Sequence, residues 1–134
     1  MCIRDRIYTQ EVDLSGKASG SLSFKANFAL ETYGNGQIAA DGVRLLATPD
    51  LGSTWYVVVP DQGYPYQAID AFTDASGNTS PGFSGRSNGW QDFSVDIAPM
   101  LAVGPKWTFA WEFASDFSVG DAGFFLDDIQ VNAQ

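Results

Sequence analysis

In residues 105–115, Trp107, Phe109, Trp111 and Phe113 alternate with Thr108, Ala110, Glu112 and Ala114. Neighbouring side chains of an extended strand point to opposite faces, so these rings share one face and require a second layer to cover them. A helix would scatter the same rings around its axis. The same period runs through residues 21–31, where Leu22, Phe24, Ala26, Phe28 and Leu30 form one face and Ser21, Ser23, Lys25 and Asn27 the other. Further strands are predicted at 8–14, 42–48, 54–59, 66–72, 90–97 and 124–131, each bounded by Gly, Pro, Asn, Asp or Ser. Only 96–103 suits a short helical turn, with Asp96 as its N-cap. Gly34-Asn35-Gly36 and residues 74–82 are too rich in turn formers for strand interiors and read as surface loops. About eight short strands at this spacing predict an all-β antiparallel sandwich rather than a βαβ fold.

With 134 residues, 45% of them hydrophobic, the chain can enclose one core without a metal or a disulfide merely to fold. A net charge of −9 repels phosphate backbones and anionic lipid, which argues against nucleic acid and membrane surfaces as partners. Histidine is absent, and with it go the Ser-His and Cys-His dyads, imidazole metal ligands and the usual neutral-pH general base. No apolar run approaches the roughly 18 to 20 residues of a membrane span, and the opening residues lack a signal-peptide pattern. Met1-Cys2-Ile3-Arg4-Asp5-Arg6 reads instead as the conceptual translation of a transposase sequencing adapter, so residues 1–6 are set apart from a single domain over 7–134. Without them the chain has no cysteine and keeps five basic and fifteen acidic residues. On this reading the natural N-terminus, any export signal and one further strand lie upstream.

Several short motifs follow in order: Asp41-Gly42-Val43, Gly52-Ser53-Thr54-Trp55, Gly82-Phe83-Ser84-Gly85, Gly89-Trp90, Val95-Asp96-Ile97, Ala114-Ser115-Asp116 and Gly123-Phe124-Phe125-Leu126-Asp127-Asp128-Ile129. In this order they resemble the MAM-like jelly-roll domains of bacterial secreted proteins. These include the C-terminal domains of immune-inhibitor-A-type metalloproteases, the related bacillopeptidase module, and the choice-of-anchor J and cleaved-adhesin domains. The similarity covers most of residues 11–132. Pro49-Asp50-Leu51-Gly52 replaces the family's usual Asp-Gly-Gly turn. The resemblance implies a jelly-roll sandwich, here N-terminally truncated, on an extracellular or cell-surface bacterial protein.

Asp127 and Asp128 are neighbours on a predicted strand, so they face opposite ways and cannot share a proton. Strict alternation groups Asp127 with Phe125, Ile129 and Val131, which would aim it at the core, where a carboxylate needs a cation or several donors. A hard cation suits a chain with many carboxylates and no imidazole, which points to Ca²⁺. The resemblance implies the same ion, held as a structural calcium by Asp41 and Asp127 with Glu31, Asn35 or Asp128 as further ligands. The competing reading for Asp127 is an ion pair with Arg44 or a water-satisfied carboxylate.

A glycoside hydrolase needs two carboxyls facing across a cleft. The only glutamates are Glu11, Glu31 and Glu112, and Glu112 alternates with the aromatic stripe, which reads as a solvated strand residue. Among aromatics on or beside loops, Trp55, Tyr64, Tyr66 and Trp90 are candidates for stacking on a sugar; Trp55 and Trp90 equally read as plugs at the sandwich ends. The sequence therefore predicts a non-enzymatic accessory or adhesion module stabilised by calcium, with other domains of a parent protein, surface proteins or glycans as partners. Carbohydrate binding through loop aromatics is the alternative.

Overall fold

The computed structural model describes residues 3–34, 36–115 and 123–134. Two antiparallel sheets face each other. The first has the order β1 (Ile3–Tyr8), β11 (Lys106–Ser115), β5 (Gly42–Thr48), β6 (Tyr56–Val58), with β2 (Val12–Asp13) also pairing with β11. The second has the order β10 (Gln91–Asp96), β3 (Gly20–Leu30), β12 (Gly123–Ala133), with β9 (Gly85–Arg86) added to β3. A third, small sheet joins β4 (Ile38–Ala39), β7 (Tyr66–Ile69) and β8 (Ser80–Gly82), and its β4–β7 pair is parallel. One short helix, α1 (Ala98–Leu101), follows β10. The chain is an all-β sandwich.

Alternation in β3 appears as anticipated: Leu22, Phe24, Ala26, Phe28 and Leu30 are all buried against Trp107, Phe109 and Trp111 of β11. At the centre stands Phe83, fully buried and supplied by the turn-rich Gly82-Phe83-Ser84-Gly85 segment. Its ring lies 4.9 to 6.2 Å from those of Phe24, Phe28, Tyr64, Phe93 and Phe124. Backbone hydrogen bonds exchanged between Phe83 and Val43, 2.7 and 3.0 Å long, fix that segment against β5. Such close approach explains Gly82, where a Cβ would lie 2.7 Å from the Val43 carbonyl oxygen.

The small sheet covers the other face of β5 and β11. Ala39, Ile69, Ala71 and Phe72 pack there on Ala114, with Tyr66 at the margin. Gly42 permits this contact, because a Cβ would meet Ile69 side-chain atoms at 2.7 to 2.9 Å. Both faces of β11 are therefore covered at this end, and Ala110, Glu112 and Ala114 are as enclosed as Trp111. The predicted solvated face of Glu112 is a buried one.

Other differences are local. The strand predicted at 66–72 ends at Ile69 and turns into a 3-10 helix over Asp70–Phe72. Part of the loop predicted at 74–82 is strand β8. The strand predicted at 8–14 is two strands separated by residues 9–11, and β1 begins at Ile3, inside the six residues set apart as adapter-derived. No helix among the described residues is long and apolar enough to cross a membrane.

Candidate functional site

Strand β12 contradicts strict alternation for a specific reason. Asp127 pairs with Lys25 and Gln130 with Ser23, so β12 advances three residues where β3 advances two. The extra residue is a β-bulge, and Asp128 occupies it with φ of +54°. A one-residue offset exchanges the faces of everything beyond it. Before the bulge Phe124 and Leu126 pack on the core; after it Val131 and Ala133 do. Asp127 and Asp128 are both exposed, correcting the expectation that Asp127 faces inward. The Asp127 Oδ1 accepts the Asp128 N–H at 2.8 Å, and aspartate tolerates the left-handed conformation better than most residues. This pair builds the bulge.

The five residues predicted to share a calcium ion are not brought to one place. Asp41 is buried at the entry to β5, where its N–H donates to the Glu31 carbonyl at 3.3 Å. The Ser84 hydroxyl donates to the Asp41 carbonyl at 2.6 Å, tying this corner to the Phe83 segment. Glu31 and Asp41 thus meet beyond the end of β3. Asp127 lies opposite Lys25, six residues back along β3, or about 20 Å at ~3.3 Å per strand residue. Asp128 lines a shallow polar groove with Asp92, Ser94 and Gln130. Asn35 lies outside the described residues. Among the described residues, no group of three or more Asp, Glu, His or Cys side chains is placed to share a metal ion.

If the bulge is the purpose of Asp128, Asp128→Gly keeps or raises stability by up to ~1 kcal/mol, since glycine adopts positive φ without strain. Asp128→Val lowers it by about 1–2 kcal/mol. Urea denaturation of the two variants measures the difference, and equal losses in both would refute this role.

The aromatic candidates also separate. Tyr64 is a core residue: its hydroxyl donates to the Val58 carbonyl and accepts the Leu45 N–H at 2.9 Å, clamping β5 to the end of β6. Burial raises its phenol well above the ordinary tyrosine range, against the opposing Leu45 hydrogen bond and Arg44 charge. Its side chain is buried and its hydroxyl is engaged by two backbone groups, which corrects its expected place among exposed loop aromatics. Tyr66 is half-buried, and its ring packs so closely on Gly85 that a Cβ there would sit 3.1 Å from the hydroxyl. Trp55 is half-buried, with the Arg6 guanidinium 4.9 Å above its ring and Tyr8 at 6.0 Å. Trp90 alone of the four is exposed, at 53%, so it does not plug the sandwich. Gln62, Ser84, Arg86 and Gln91, the residue after Trp90, line a groove of about 290 Å³ whose lining also includes Tyr64 and Phe93.

The strongest electrostatic feature centres on Glu112, which the sequence places on a solvated face. Glu112, only 2% exposed, is bound by Arg6 Nε at 2.5 Å through Oε2, and by Arg44 Nε at 2.9 Å and Nη2 at 2.6 Å through Oε1. Phe72 lies 4.3 Å beneath the Arg44 guanidinium and closes the arrangement from the third layer. Burial by itself would raise the Glu112 carboxyl; the Arg6 and Arg44 hydrogen bonds and charges outweigh it and hold the carboxyl below the ordinary glutamate range. A usable signal existed in the sequence: Ala110 and Ala114 flank Glu112 on its own face, and small apolar neighbours on a strand face mark it as covered.

The sign of the pH effect follows. A carboxyl lowered on folding contributes stability above its unfolded value, near 4.3, and loses it as pH falls through the lower folded value. Denaturation midpoints followed downward from pH 7 should fall in acid for the wild type and fall less steeply for Glu112→Gln. Identical profiles would contradict the lowered carboxyl.

Compared with protein-family models and with the sequences of curated proteins, the chain matches none.

Proposed function

We propose that this chain is a non-catalytic accessory or adhesion module, a jelly-roll-type sandwich of a secreted or cell-surface bacterial protein, working through binding. The observation that carries this reading is the state of Glu112. Glu112, the least exposed acid among the described residues, is held ionised by two arginines, the reverse of what a general acid requires. The test is incubation of the protein with a panel of immobilised surface proteins and polysaccharides. The expected result is retention without cleavage, with no reducing ends or new termini released. Turnover abolished by Glu112→Gln would overturn the reading.

Carbohydrate binding is the second reading, favoured by the exposure of Trp90 and by a groove lined by Gln62, Arg86 and Gln91, the chain neighbour of Trp90. On a glycan array Trp90→Ala should weaken a positive signal about tenfold, ~1.4 kcal/mol, without changing the melting temperature. Tyr64→Ala should lose binding only by losing the fold. Calcium belongs to the proposal with Glu31 and Asp41 as its side-chain donors. Added calcium should then raise the melting temperature in wild type and Asp127→Ala but not in Asp41→Asn. A shift lost in Asp127→Ala would restore the ligand set first expected.

A further inference from the structure

Between β9 and β10 the chain leaves the edge of the second sheet and returns to it. Arg86 of β9 pairs with Ala29 and Gln91 of β10 with Ala26, so three steps along β3 are matched by five on the other side. Asn88 and Gly89 form the excursion, with φ of +57° and +116°, the left-handed pair of a tight reversal. Ser87 anchors its root. That residue is buried, its Oγ accepts the Phe28 N–H at 2.8 Å and donates to the Gly89 carbonyl at 2.7 Å, and its own N–H donates to the Phe28 carbonyl at 2.9 Å. Gln91 Nε2 donates to the Ser87 carbonyl at 2.7 Å from the other side. The tip itself is bare. Asn88 and Gly89 are exposed, and among the described residues neither the Asn88 side-chain amide nor the Gly89 N–H has a hydrogen-bond partner. A Cβ placed on Gly89 would meet nothing within 4 Å.

We infer that Asn88–Gly89 is a self-modification site, where the folded chain converts Asn88 to aspartate and isoaspartate through a cyclic imide. Hydroxide takes the Gly89 amide proton, and the nitrogen attacks Cγ of Asn88. The N–Cγ bond forms, the Cγ–Nδ2 bond breaks, and ammonia leaves. Water then opens the five-membered imide at either carbonyl. One opening leaves aspartate; the other leaves isoaspartate, in which the main chain runs through Cγ and is one atom longer. Attack needs a following residue without a side chain in the way, an amide N–H not tied up in a hydrogen bond, and water at the tip, and all three hold here. The other described asparagines lack this combination. Asn27 and Asn132 lie within β3 and β12 and precede Phe28 and Ala133, and Asn78 precedes the branched Thr79. Asn35 precedes a glycine as well but lies outside the described residues. The product places a new carboxylate, and in the isoaspartate an extra chain atom, between the fixed Ser87 root and the exposed Trp90.

The modification needs no ligand, so it stands or falls apart from the binding-module reading. The test incubates the folded chain in mildly alkaline buffer, digests samples with trypsin in mildly acidic buffer and follows the fragments by mass spectrometry. Cleavage after Arg86 and Lys106 isolates residues 87–106, whose only asparagine is Asn88. That fragment should gain the deamidation mass before Asn27, Asn78 or Asn132 is modified. A synthetic peptide spanning 85–92 supplies the rate without the fold, and the folded chain should react within about tenfold of it, the fold adding less than ~1.4 kcal/mol to the barrier. An isoaspartyl methyltransferase should label the aged chain at position 88. In Asn88→Gly, which keeps the positive φ without strain, the label at that position should be lost. Two results would overturn the inference: Asn88 reacting more than about tenfold slower than the peptide, or Asn27, Asn78 or Asn132 changing first.

Discussion

Arg44→Met should lower the unfolding free energy by about 3–5 kcal/mol, because it leaves Glu112 buried with half its counter-charge gone. Domains of this kind hold roughly 5–15 kcal/mol in all, so the variant should unfold at markedly lower urea and sit close to its transition at room temperature. Breaking a buried pair is costly because the remaining charge keeps its desolvation without its compensation. Removing both charges is different. In Arg44→Met with Glu112→Leu, no buried carboxylate remains, and most of the loss should return. Arg6 then keeps its contact over Trp55 and reaches solvent at the edge strand. A double variant no more stable than Arg44→Met would mean that the loss came from packing against Phe72 rather than from charge.

Phe83→Ala should cost a similar ~3–5 kcal/mol for a different reason. Phe83 is fully buried and touches rings from β3, β10 and β12 as well as Tyr64, so its removal opens a cavity at the junction of both sheets. Those neighbours are held by their own strands and cannot collapse far into the space. Phe83→Leu should recover over half of the loss by refilling most of the volume. Equilibrium denaturation checks both, and a loss below about 1 kcal/mol in Phe83→Ala would mean that the Phe83 segment is peripheral to the core.

Comparing particular strands separates local from distant causes. In β3 and on the ring-bearing face of β11 the pattern alone placed the core residues, since a regular pleat fixes every side chain once one is known, but it did not show that the other face of β11 is covered too. In β12 the same rule failed at a single residue: the Asp128 bulge is a pairing event with β3, and pairing is not written into the strand that carries it. The calcium set inherited that error, because it assumed an inward Asp127 at the rim near Asp41. Tyr64 shows the converse. A Pro-spaced tyrosine pair in a turn-rich stretch looked exposed, yet Tyr64 reaches back to β5 and β6, where two backbone groups need its hydroxyl.

The amino-acid sequence by itself determined that the chain is built of strands, where the longest of them run, and which stripe of rings they enclose. It also determined that imidazole chemistry is excluded, since these properties depend only on residue type and period. Which acids are buried and which aromatics reach solvent were decided by tertiary structure. A third layer over β11 covered Glu112, and a one-residue bulge at Asp128 put Val131 on the inner face while Asp127 stayed on the outer one, because burial belongs to what lies opposite a residue and not to its neighbours in the chain.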